Sequence, residues 1–555
     1  MLHSRLAIHS SRHRSPTQIA AGLLAVVALA LGALVVPDVA SPVYADGDRS
    51  SGVSSRTGIQ YWGNFNCVGQ RPIFSWIEPA AEAEIQIAHI EPGSDESAVS
   101  RIAQPFDPRF GPAPGPQVTG FAGQNRTYPD GTVFILRDRR PGQATYQEVL
   151  RFGPSDCQDY DGGGVRGAYR SIDPTRALDT RPSERTNHTG ARPAAGQSVV
   201  ITPAMQPDRP DGVIAVAVTV TMAGAAGRGF AQVYPTGAVT PGATANVNVS
   251  GPGGAVGNFA VSTVGDDGSI SVFTSVATHL IVDVVGYFVD TSSPSASDAG
   301  LFESRAPIRM LDTRPSERVN FSGSKPGARS TTTLDLRALD SGLPDDATAA
   351  VVNVSALDAN AQGFIQAAAG GTLVAGESAV VNLGPGQASG GLTIVPVSPE
   401  GTIDLYTSAG ANLIVDLSGW FVPGTGTSGA YVPLQPERVT DTRGAAATTN
   451  VYWNGYFRGN RYNSAIPIHA VVERASAVLI NATVISPDSR GFVQITDSSP
   501  DLSTSNVNFS APGSVTANAG VIPVDRSNHL FLGWPFGTPL REVRATIDIS
   551  GYFTT

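Results

Sequence analysis

Charge is the first thing this sequence is short of. Only 15% of its 555 residues are Asp, Glu, Lys or Arg, where a soluble domain usually carries about 25%. Lysine is almost missing: Lys325 is the single one, so the basic side is arginine. The balance of −10 at pH 7 excludes a nucleic-acid binder that works through a basic surface. It equally excludes attachment to anionic polymers by net charge alone. Cysteine is confined to Cys67 and Cys157.

Long apolar runs are missing too, with one exception. Ile19 to Val36 carries no charge, follows Arg5, Arg12 and Arg14, and leads to Val43-Tyr44-Ala45 before Asp46. That is the layout of a signal peptide, here residues 1–45. The rival is a retained anchor helix, because the run approaches the ~20 residues that span a bilayer; the cleavage-type segment behind it favours removal. No second run of that length follows, so the expectation is a secreted, extracellular chain with no integral span after cleavage. In that compartment two cysteines read as a structural Cys67–Cys157 disulfide. Closing so long a loop is worth about 4 kcal/mol in the chain-entropy account.

Glycine (61) and proline (41) are plentiful, and the apolar residues fall in short alternating runs. In Val213 to Thr221, Ile214, Val216, Val218 and Val220 share one face, with Ala or Thr on the other. Period two is the mark of half-buried antiparallel strands, and Gly265-Asp266-Asp267-Gly268 between two such runs reads as a hairpin turn.

Four landmarks then recur three times in the same order. Each copy opens on Asp-Thr-Arg: Asp179-Thr180-Arg181, Asp312-Thr313-Arg314 and Asp441-Thr442-Arg443. Gly-Phe follows at 229, 363 and 491, then an asparagine at Asn248, Asn382 and Asn508. Each copy closes on an embedded aspartate and Gly-aromatic-Phe: Asp283 with Gly286-Tyr287-Phe288, Asp416 with Gly419-Trp420-Phe421, and Asp548 with Gly551-Tyr552-Phe553. This is domain triplication. The period is far longer than the ~20–50 residues of a solenoid, so each copy is expected to fold alone. About seven or eight strands per copy favour a β-sandwich or jelly roll.

The expected fold class is therefore all-β, an N-terminal immunoglobulin-like sandwich followed by three tandem sandwich or jelly-roll-like repeats. The expected organisation is a module at 46–160 and a Gly-rich linker at 161–168. Repeats follow at 169–290, 301–423 and 430–555, separated by a Ser/Pro linker at 291–300 and a Gly/Thr linker at 424–429. The linker compositions suit flexible joints.

The openings Arg176-Ala177-Leu178-Asp179, Arg309-Met310-Leu311-Asp312 and Arg438-Val439-Thr440-Asp441, with the Asp-x-x-Gly-Tyr-Phe-like closures, resemble a repeat of actinobacterial secreted and cell-surface proteins. That repeat often stands beside enzymes acting on peptidoglycan or polysaccharide. The resemblance implies an extracellular accessory module without a catalytic role, and it covers the chain from near Tyr169 to the end. The third copy departs from the pattern: Thr440 replaces Leu, Pro-Ser-Glu-Arg is absent, and Leu530 to Arg544 reads as an insertion.

Two readings of the triplets stand side by side. Asp179, Arg181, Asp312, Arg314, Asp441 and Arg443 are the residue types of a polar ligand site, an arginine fork beside an acceptor for sugar hydroxyls. The bracing reading pairs Arg181 with Asp283, Arg314 with Asp416 and Arg443 with Asp548, tying the first strand to the last. It is preferred, because a half-broken buried pair costs several kcal/mol. The repeated asparagines are read as turn or backbone partners, and Tyr287, Trp420 and Tyr552 as core. Asp266-Asp267 and Asp345-Asp346 lack the spacing of a calcium loop.

No His-Glu-x-x-His, Gly-x-Ser-x-Gly or phosphate loop is present, and His188, His279, His469 and His529 do not recur in register. No catalytic residue, metal site or cofactor is assigned. The reading is a monomeric, non-enzymatic surface protein whose repeats attach it to wall polysaccharide or another surface protein. The alternatives are a hydrolase with a catalytic N-terminal module, and a mechanical spacer that binds nothing.

Overall fold

Residues 165–237 and 244–443 are described without a break by the computed structural model, together with Gly242, 457–458, most of 464–555 and segments between 50 and 152. The segment 1–45 and both cysteines, Cys67 and Cys157, lie outside the described residues.

The alternating runs become strands as their period requires. In repeat 1 these are Gly167–Asp179, Gln197–Ile201, Val213–Ala225, Gly229–Pro235, Val247–Val249, Gly253–Thr263, Ile270–Thr274 and His279–Asp290. Numbered one to eight in that order, they form two antiparallel sheets, 6-3-8-1 and 2-7-4-5. That wiring is a jelly roll, in which each sheet takes alternate pairs from two Greek keys. Repeat 2 repeats it from Gly300–Asp312 to Asn412–Pro423, and repeat 3 from Tyr431–Asp441 to Glu542–Thr554. Repeat 3 adds Phe457–Arg458 against its last strand. N-terminal to these lie two four-stranded antiparallel sheets. Counted from Ser50–Val53 they run 1-2-3-6 and 5-4-7-8, an order different from that of an immunoglobulin domain.

Each jelly roll has its own core. Val216, Val218, Val220 and Met222 of the third strand fill that of repeat 1. The opposite face, Ala215 and Ala217, is as fully buried, where a half-buried strand would leave it to solvent. The reason is a fourth apolar cluster shared by all three repeats. The 6-3-8-1 sheets face one another there, and their small residues let the backbones approach. At its centre stand six rings, two from each repeat: Tyr169 and Phe288, Phe302 and Phe421, Tyr431 and Phe553. Phe288 stacks on Tyr431 at 4.2 Å between centroids, Phe302 lies 4.3 Å from Phe553, and Tyr169 lies 4.6 Å from Phe421. Burying each ring contributes about 1.5–3 kcal/mol.

The copies therefore do not stand as independent beads on flexible joints. The first linker forms a short 3-10 turn, Pro294–Asp298, that leads into buried Ala299. The second ends pinned beside the hub, Gly429 N donating to Thr554 O at 3.0 Å and Gly429 O accepting from Phe302 N at 2.8 Å. The first strand of repeat 1 also bridges both others, at Tyr169–Gly300 and Gly167–Tyr431.

Candidate functional site

The first and eighth strands are neighbours in every repeat, and a register shift beside the embedded aspartate sets which residues face each other. Asp283 lies directly opposite Arg176, Asp416 opposite Arg309 and Asp548 opposite Arg438. Each pair closes through the arginine Nε, at 2.6, 2.6 and 2.7 Å. The same guanidinium turns its Nη1 to the triplet aspartate, 3.0 Å from Asp179 and 3.2 Å from Asp312, and 3.5 Å from Asp441. Asp179 also takes the backbone N of Arg181 at 2.9 Å and its Nη2 at 2.7 Å, with matching bonds in Asp312–Arg314 and Asp441–Arg443. The triplet threonine ties the loop down, its Oγ1 accepting from Leu280, Leu413 or Ala545 N at 2.8–2.9 Å. Arg181 and Arg314 extend further to Glu184 and Glu317.

Burial pushes the carboxyls of Asp283 and Asp416 up, against the pull of Arg176 and Arg309. Burial also works against the charge on Arg176 and Arg438, but Asp283 and Asp548 overcome it and hold both protons more firmly than usual. On Asp441 burial raises the carboxyl, and the bonds from Arg443 outweigh it, leaving it below the ordinary aspartate range. Each cluster is a charge network with its acceptors filled, the condition under which buried ions are tolerated.

The clusters also hold the repeats together. Arg176 Nη2 donates to Glu377 O at 3.3 Å, and Asp283 accepts from Ala379 N at 3.3 Å, both in the loop between the fourth and fifth strands of repeat 2. In the same way Arg309 Nη2 reaches Ser503 O of repeat 3 at 2.8 Å. The docking loop is shaped by a glutamine two residues after the Gly-Phe landmark. Gln232 and Gln494 donate to Thr244 and Thr504 at 3.0 Å, and Gln366 to Val374 O at 2.8 Å. Each Oε1 accepts from a loop amide, Gly242, Gly376 or Leu502.

A Cβ on Gly286, Gly419 or Gly551 would overlap the ring of Tyr169, Phe302 or Tyr431, so only glycine lets the hub ring lie on the strand. The middle aromatic faces its own core, with Tyr287 Oη donating to Pro207 O at 2.5 Å and Trp420 Nε1 to Glu303 at 2.8 Å. The final Phe enters the hub.

The expected pairing is corrected at one point. Arg181, Arg314 and Arg443 bond the triplet aspartates, not the last-strand ones; Asp283, Asp416 and Asp548 pair with the opening arginines Arg176, Arg309 and Arg438. Register decides this, since the triplet arginine lies past the strand end. Asn382 and Asn508 reach the preceding repeat, at Thr221 (3.3 Å) and Ser355 (3.0 Å). The glutamines were missed, although Gly-Phe-x-Gln recurs in all three copies. Among the described residues no group of three or more His, Cys, Asp or Glu is placed to hold a metal ion, and no helix is long and apolar enough to cross a membrane.

No family model matches the chain, and no curated protein matches it. Among the solved structures that the chain resembles are two viral ones. One, described as "The Triple Jelly Roll Fold and Turret Assembly in an Archaeal Virus", is 9% identical over 72% of this chain and 94% of its own, with a TM-score of 0.14. The other, from Sulfolobus Turreted Icosahedral Virus, is 9% identical over 70% and 90%, at 0.13. Likenesses that slight bear on neither fold nor function; the jelly-roll assignment rests on strand order.

Proposed function

We propose that this chain is a non-enzymatic, secreted structural and binding protein of the cell surface that attaches to wall polysaccharide or to a surface protein. The observation that carries the reading is the engagement of the repeated charged residues: the donors and acceptors of the Asp-Thr-Arg clusters brace the strands and seat the neighbouring repeat. Repetition thereby builds one body fused at a shared hub that presents its loops together, and weak contacts made by such loops add at a lower ordering cost than on separate chains. The loops after the triplets are largely exposed in repeats 1 and 2. They carry Arg185 and Arg318 at matching positions, exposed and without an ion-pair or hydrogen-bond partner among the described residues, free to meet a hydroxyl-rich or anionic polymer. A spacer gains reach by setting domains end to end, which three repeats closed on a hub forgo.

The test is sedimentation of the full chain with isolated bacterial walls and with defined polysaccharides. Retention that is lost in Arg185→Ala/Arg318→Ala at unchanged thermal stability supports the reading. Release of reducing ends or wall fragments would establish a hydrolase instead, and absence of both binding and cleavage would leave the spacer.

A further inference from the structure

The three rims around the hub follow one plan but are not equally bonded. Repeat 1 meets repeat 3 through Asn258, whose Nδ2 donates to Asn481 Oδ1 at 2.9 Å and whose Oδ1 accepts from Ala519 N at 3.0 Å. Ser250 Oγ accepts from Val515 N at 2.8 Å and donates to Val515 O at 3.1 Å. Repeat 3 meets repeat 2 likewise. Asn518 bonds Asn353 at 2.8 Å and Leu392 N at 3.1 Å, and Ser510 bonds Ala388 at 2.7 and 2.8 Å.

Where repeat 2 meets repeat 1, the strand asparagine is replaced by Gly391, the serine by Gly384 and the receiving asparagine by Thr219. Phe259 N, the amide an asparagine at 391 would serve, donates instead to its own Asn258 Oδ1 at 2.9 Å. Apart from the backbone bridge Tyr169–Gly300 beside the hub, the bonds that do cross are long. Arg176–Glu377, Ala379–Asp283 and Asn382–Thr221 are all 3.3 Å, and Thr372–Asp173 is 3.5 Å. N–H···O bonds cluster near 2.9–3.0 Å and weaken beyond ~3.2 Å. The docking loop itself carries a defect. Ser378 is buried with no partner for its hydroxyl, where Thr504 at the same place reaches the clamp glutamine.

We propose that the body has one opening seam, between repeats 1 and 2. The rim contacts of residues 372–383 release there while the aromatic hub stays shut. Short, paired bonds hold the other two rims closed, so the motion is a tilt of repeat 2 about the hub. Repeats 1 and 2 are joined through 291–300, which makes reclosure intramolecular and fast. This is a conformational property of the fold and does not depend on what the loops bind.

Native-state hydrogen exchange of the full chain tests it. Amides of 377–383 should exchange about ten-fold or more faster than those of 503–509 and 244–249, the scale set by losing a few net hydrogen bonds. The hub strand 281–288 should stay protected. Ser378→Thr should slow 377–383, and Asn481→Ala should speed 244–249 while leaving 377–383 unchanged. Equal rates at the three rims overturn the proposal, as does release of 281–288 together with 377–383. Should Asn481→Ala fail to fold, the wild-type comparison and Ser378→Thr decide alone.

Discussion

Removing one hub ring, by Phe288→Ala, separates a fused body from three independent domains. Phe288 is fully buried and lies within 4.2–6.4 Å of four other hub rings, one from its own repeat and three from the other two. Truncating a buried Phe costs about 3–5 kcal/mol, and loss of the ring contacts places this site near the top of that range. Unfolding entropy near 2.1 cal/mol/K per residue gives about 0.8 kcal/mol/K for 165–555 melting as one unit. The whole transition should then fall by about 6 °C, in one piece. Were repeat 1 a separate domain, its entropy would be about 0.26 kcal/mol/K. A third of the heat would then move down by nearly 20 °C and the rest would stay. Scanning calorimetry of the wild type and the variant distinguishes the two, and a split endotherm with two-thirds of the enthalpy unmoved refutes the shared hub.

Three further outcomes follow from particular contacts. Arg309→Ala leaves Asp416 buried without its main partner and should cost about 3–5 kcal/mol, whereas Arg314→Ala, whose side chain is partly exposed, should cost distinctly less; equal losses in denaturant titration would return Arg314 to the bracing role first expected for it. Thr440 buries a hydroxyl with no partner where repeats 1 and 2 carry Leu178 and Leu311, so Thr440→Val should stabilise by about 1 kcal/mol and raise the midpoint slightly, and a lowered midpoint would show the hydroxyl to be satisfied. Asp501 accepts from Ser503 N at 2.9 Å and from Gln494 Nε2 at 2.9 Å, and the Ser503 amide, then Gln494, hold its carboxyl below the ordinary range. A depressed folded value means its stabilisation is complete above the unfolded value of about 3.9 and is lost as pH falls through the folded one. Melting curves from pH 6 to 2 should fall more steeply for the wild type than for Asp501→Asn, and parallel curves would exclude this contribution.

Much of the architecture was legible in the residues. Alternation in Val213–Ala225 and His279–Asp290 named the strands, because side chains on successive residues point to opposite faces. The triplication was legible because four landmarks keep their order. The bracing partners were legible in kind but not in identity. Arg176 and Arg181 are both arginines within reach of Asp283 along the chain, and only the register shift beside Asp283 puts Arg176 opposite it. Gly-Phe was visible as a landmark, yet the work of Gln232, Gln366 and Gln494 depends on a loop curling back over them, which no local pattern encodes.

What the sequence by itself determined is the all-β class, the three copies and the kind of charged residue that braces each one. These depend on local period and on repetition, both written along a single strand of text. That the copies share one core, and that one of their three rims is poorly bonded, was decided by tertiary structure alone. Ala215 and Ala217 look like the outer face of a strand until two other repeats arrive to cover them, and Phe288, in phase along the chain with Leu280, Val282 and Val284, reaches the hub only past the register shift between Val284 and Gly286. Whether a small apolar residue meets water or a neighbouring sheet depends on contacts far away in sequence.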